Sequence, residues 1–139
     1  MAFGGMNTLA VVVAAIASFL FGGIWYGLFS RQWLAAAGLA DKDLSGGWQK
    51  NITPFIVAFL ALLVMAQMLA GVIGHLGPGQ VTLHNGVISA GFIWLGFVMT
   101  TMVVNHTFQG ARKTLTLIDG GHWLGVLLIQ GAIIGAIGV

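Results

Sequence analysis

The sequence predicts an all-α polytopic membrane protein, a bundle of four transmembrane helices with both termini on the non-cytoplasmic side. Three observations carry this expectation. First, 58% of the 139 residues are hydrophobic and only 6% are charged, where a soluble domain carries about 25% charged residues. Five basic and three acidic side chains cannot cover a water-facing surface. Second, four apolar runs, about 7–29, 54–74, 85–105 and 120–138, contain no Asp, Glu, Lys or Arg. Each approaches the roughly 20 residues that a helix needs to cross a ~30 Å hydrocarbon core. Third, Arg31, Lys42, Lys50, Arg112 and Lys113 all fall in the connections 30–53 and 106–119, which the positive-inside rule makes cytoplasmic. Strands are excluded because alternation is absent and open sheet edges are not tolerated in lipid.

The first run has no basic leader and no small-x-small cleavage site, so it reads as a span and not as a cleaved signal. It ends in FGGIWYGLFSRQW, residues 21–33. Trp25, Phe29 and Trp33 recur every four residues and share a helix face, with Arg31 beside them. Such rings favour the headgroup boundary, and an arginine stem can reach phosphates from there; the expected role is an aromatic belt. The alternative is a ring-lined pocket for a lipid or small apolar ligand. On another face Ala10, Ala14, Ser18 and Gly22 repeat at four-residue spacing. Small residues in that pattern let membrane helices approach closely. The third run offers Gly86 and Ala90, and the fourth offers Gly121/Gly125 and Gly131/Gly135. Whether these faces pack within one chain or between copies is open at this level.

Residues 30–53 interleave Trp33, Leu34, Leu39, Leu44 and Trp48 with Asp41, Lys42, Asp43 and Lys50, which suits short interfacial segments. Thr53-Pro54 reads as an N-cap followed by proline at the first helical position. The uncharged stretch HLGPGQVTLHN is an outer turn. In the connection 106–119, Asp119 is placed to N-cap the fourth helix, where the dipole favours an anion. The whole chain, 1–139, is expected to be a single membrane domain.

Chemistry is sparse. There is no cysteine, which removes disulfides and thiolate sites. His75 and His84 flank the outer turn, and His106 and His122 flank the inner connection. A pair at each face suggests two haems, but His84 and His106 stand 22 residues apart, about 33 Å of helix, too far for sites inside one bilayer. No metal, haem or other cofactor is expected. No carboxylate lies within a run to carry protons. Gln67 and Gln130 should face protein. A charge surplus of two is no footprint for nucleic acid. No nucleophile is placed for an Asp119/His122 pair.

The densest polar group is cytoplasmic: Asn105, His106, Gln109, Arg112, Lys113, Asp119 and His122, joined by Arg31 and Tyr26. Arg112 or Arg31 paired with Asp119 would tie two connections together. The bland reading is loop closure and a topology signal; the alternative is a site for a headgroup, an anionic ligand or a partner.

At GGIWYGLFSRQW, at Asn105-x-x-Phe108 with its following basic residues, and at LIDGGHWL, the chain resembles a bacterial family of small four-helix membrane proteins, catalogued as domain of unknown function 1761. The resemblance spans nearly the whole chain. It implies four helices and a bacterial inner membrane, and no activity. The leading functional expectation is a non-enzymatic structural or accessory membrane protein. It would self-associate through the small-residue faces or pack beside a membrane partner, among membrane lipids. The alternative is a lipid or small-molecule binder, or an oligomeric channel or carrier, using Trp25, Tyr26, Phe29 and the polar group. A membrane enzyme comes third.

Overall fold

The structure is a computed structural model that describes residues 6–40 and 51–139. The interfacial segment expected around Leu44 and Trp48, with Asp41, Lys42, Asp43 and Lys50, lies outside the described residues. Four helices are long and apolar enough to cross a membrane: Thr8–Leu28, Thr53–Gly74, Leu83–Gln109 and Lys113–Ile137.

Helix α1 (Thr8–Leu28) starts where the Asn7 side chain accepts from the Ala10 amide at 3.2 Å, satisfying one of the free amides of a helix start. It ends at Phe29, and a short helix α2 (Ser30–Ala36) follows. Helix α3 (Thr53–Gly74) carries Pro54 in its first turn, where the missing N–H costs nothing. Thr53 is already helical, and its amide donates to Asn51 Oδ1 at 3.1 Å. Asn51 therefore does the work expected of Thr53.

The third membrane-length helix is one rod of three parts: α4 (Leu83–Ile93), a π-helical stretch Trp94–Met99, and α5 (Thr100–Gln109). Thr82 Oγ1 caps it by accepting from the Asn85 amide at 3.1 Å. It stops at Gly110, whose φ of 66° is left-handed and suits a residue without Cβ. Helix α6 (Lys113–Ile137) follows directly. The polar connection expected over 106–119 thus shrinks to a three-residue joint, and Asp119 lies inside α6 instead of capping it. Loss of apolarity marks where lipid contact ends. The helix continues through Thr107, Gln109, Lys113 and Thr114 until glycine stops the backbone.

Helix α6 is central, with α1 against one side and α4 against the other; α3 packs mainly on α1. Glycine decides how close these approaches are. At the α4–α6 crossing a Cβ on Gly86 would run into the Gly131 carbonyl, and one on Gly131 into the Gly86 carbonyl; Gly135 sits on the Thr82 carbonyl in the same way. Only hydrogen fits where two backbones touch. On α1, Ala10, Ala14 and Ser18 are buried, while Gly121 and Gly125 on α6 receive the rings of Trp25 and Phe21. Ala10, Ala14, Ser18, Gly121, Gly125, Gly131 and Gly135 therefore pack within one chain, while Gly23, Gly27 and Gly96 stay exposed.

Midway along the bundle the fully buried Gln130 joins three helices. Its Nε2 donates to Ser18 Oγ at 3.0 Å and to the Leu62 carbonyl at 3.2 Å. Gln67 is bonded elsewhere, to Met6 Sδ at 3.8 Å. The outer surface is bare of polar groups over long stretches: Leu9, Ile24, Leu60, Phe92 and Phe97 are largely exposed, as side chains facing acyl chains should be.

Candidate functional site

The rings of the FGGIWYGLFSRQW stretch turn inward. Trp25 Nε1 donates to the Ile118 carbonyl at 3.0 Å, and Tyr26 Oη donates to Asp119 Oδ1 at 2.7 Å. Trp33, on α2, donates from Nε1 to the same oxygen at 3.2 Å. From the other side Trp94, first residue of the π-helical stretch, donates from Nε1 to the Gly120 carbonyl at 2.8 Å. Four aromatic donors thus converge on three successive residues of α6. A ring that must bury its polar edge needs a partner there, and these find one in protein. The belt expected at the headgroups is, for Trp25 and Trp33, an internal collar.

The local sequence explains the convergence. Tyr26 and Trp33 are seven residues apart, and the short break at Phe29 lets α2 carry Trp33 back against Tyr26, their rings 5.9 Å apart. Gly121 admits the Trp25 ring. Gly22 admits the His122 ring: a Cβ there would stand 2.9 Å from Nε2. His122 is 8% exposed and lies among Phe21, Tyr26 and Trp123, with centroids at 6.2, 4.8 and 4.7 Å. Its Nδ1 is buried without a hydrogen-bond partner, which is uncommon for a buried polar atom.

Below this collar a cavity of about 600 Å³ lies between α1, α3 and α6. Phe19, Gly23, Tyr26, Phe55, His122 and Trp123 line it, and Ser18 and Leu62 close its deep end. Gly23, Gly27, Phe55 and Ala58 on its rim are exposed, so it opens sideways between α1 and α3. Gly22, Gly23 and Gly27 make the room: nothing lies within 4 Å of where a Cβ on Gly23 or Gly27 would sit.

The sequence-predicted group is divided by the structure. Trp25, Tyr26, Phe29, Asp119 and His122 come together, Phe29 by packing on Trp25 at 4.7 Å. Arg31 and Arg112 are exposed, and Asp119 is held by two aromatic donors in place of the arginine pair expected for it. His106 Nδ1 bonds Thr116 Oγ1 at 2.7 Å, and with Asn105 and Gln109 it lines a separate hollow of about 450 Å³. Among the described residues no group of three or more His, Asp or Glu side chains is arranged to hold a metal. Sequence reasoning gave Trp33 to the lipid boundary and did not place Phe21, Trp94 or Trp123. The seven-residue step from Tyr26 to Trp33, and Trp123 next to His122, were the available signals.

A family model described as "Protein of unknown function (DUF1761)" matches residues 9–135. No curated protein and no solved structure matches the chain. Two of the three resembling stretches noted in the sequence, GGIWYGLFSRQW and LIDGGHWL, meet in the collar.

Proposed function

The chain belongs to the DUF1761 family, and we propose that it is a membrane-embedded binding protein that takes a lipid chain or a small amphipathic molecule from the bilayer into the cavity between α1, α3 and α6. The observation that carries this is the cavity itself: about 600 Å³, apolar along its walls, with Tyr26 and His122 as polar groups beside it. That combination, an apolar hollow with a few convergent polar groups, is the usual form of a small-molecule site. An empty hollow of this size would forfeit contacts along its walls, whereas an acyl chain entering sideways restores them. With Ala10, Ala14 and Ser18 closed inside the chain, that stripe does not serve self-association.

The basic end, where α1 finishes and α6 begins, carries Arg31, Arg112 and Lys113. By the positive-inside rule we assign it to the cytoplasmic side of a bacterial inner membrane, with the cavity opening in the leaflet nearest it.

The test is native mass spectrometry of the full chain extracted in mild detergent, beside Gly23→Leu, whose side chain enters the cavity without meeting backbone. Wild type is expected to carry a discrete added mass that the variant lacks. Equal spectra, bare or loaded, would contradict the proposal.

A further inference from the structure

The cavity is one-sided in charge. Among the described residues no lysine or arginine lines it, and Arg31, Arg112 and Lys113 are exposed. Among the described residues the one formal charge in the collar is Asp119, directly behind Tyr26. Tyr26 commits its hydroxyl hydrogen to Asp119 Oδ1 at 2.7 Å, so toward any further partner the phenol oxygen can only accept. Phe19, Phe55 and Trp123 also line the cavity, between glycines, Ala58 and Leu62, and aromatic rings carry the negative part of their quadrupole on their faces. An anion entering here would approach a carboxylate and aromatic rings, with no cation among the described lining residues to offset them. A cation would be attracted by both, in surroundings where charge interactions exceed their strength in water.

We propose that the ligand of this cavity is a lipophilic cation: an apolar body carrying a single positive charge, its charge toward the Tyr26–Asp119 end and its body against Phe19, Phe55 and Trp123. This rests on the binding role proposed above and names its ligand class. A protonated amine, a quaternary ammonium and a phosphonium would alike be held by charge and aromatic rings.

The experiment uses two probes of nearly the same shape and opposite charge, tetraphenylphosphonium and tetraphenylborate. Each is titrated into the purified full chain in nonionic detergent and read by quenching of tryptophan fluorescence, with Gly23→Leu as the background for partition into micelles. The expected result is a preference for the phosphonium of roughly tenfold or more, the size of a cation–π contact with a screened charge, which Asp119→Asn lowers to the share of the rings alone. If Asp119→Asn fails to fold, the wild-type preference decides alone. Borate bound as well as phosphonium, with both lost in Gly23→Leu, would overturn the cation and leave the cavity role standing. A phosphonium preference unchanged in Asp119→Asn would also overturn it. No binding of either probe that Gly23→Leu removes would overturn both.

Discussion

Tyr26 holds more of the collar than any other side chain. Its hydroxyl satisfies Asp119, its ring meets those of Trp33 and His122, and it lines the cavity. Tyr26→Phe removes one donor from a part-buried carboxylate and leaves Trp33 as the described partner. The expected cost is about 1.5–3 kcal/mol, the worth of one hydrogen bond to a charged group, read as a lowered melting temperature in detergent. Gln130 behaves differently. Its Nε2 bonds two helices, but its Oε1 is buried without a partner. Interhelical hydrogen bonds in membranes average about 0.6 kcal/mol, and leucine relieves the orphaned oxygen, so Gln130→Leu is expected to shift stability by less than ~1 kcal/mol in the same melt. A loss several times larger would mean that the three-helix junction depends on that side chain.

At the scale of elements, glycine sorts into two kinds. Gly86, Gly131 and Gly135 lie where backbones touch; Gly91 and Gly96 have nothing within 4 Å of a Cβ. Gly131→Leu should therefore cost more than the ~1–3 kcal/mol of ordinary overpacking, because the neighbour is a carbonyl that cannot move aside. Gly96→Leu, by contrast, should be tolerated. Thermal unfolding of the two variants side by side checks this, and equal losses would contradict the crossing described here. The sequence showed both kinds as the same small residue, and the four-residue spacing that flagged Gly131 and Gly135 could not name their partner. The elements themselves were legible because twenty apolar residues without charge have few alternatives to a spanning helix. Their ends were less so. Polarity returned at His106, but the third helix runs to Gln109 and α6 starts at Lys113, since a polar helix outside lipid is still a helix. The site was half legible. Tyr26, Asp119 and His122, grouped by topology, do meet in space. Arg31, Arg112 and Asn105 were added because they share an end of the bundle, which does not place them on one face. The bond from Trp33 to Asp119 was not legible, because an aromatic residue at a helix end suits lipid and protein equally.

At the scale of the whole molecule, α6 bears most of the packing, against α1 and α4 and more lightly against α3, which itself packs mainly on α1. The opening between α1 and α3 follows from Gly22, Gly23 and Gly27 on one side and Ala58 on the other. Orientation has a direct check, because the chain has no cysteine of its own. A cysteine at Gly79 should react with a membrane-impermeant thiol reagent in intact cells, and one at Lys113 should react only after lysis; the reverse pattern would invert the assigned topology. The central claim, that the cavity takes a molecule out of the bilayer, is tested most directly by photo-crosslinking in the membrane. A benzophenone side chain placed at Phe55, on the cavity rim, is compared with one at Phe92, which is 73% exposed on the outer surface. The account predicts a distinct low-mass adduct at Phe55 that is absent at Phe92. The same mixture of bulk-lipid adducts at both positions would contradict it.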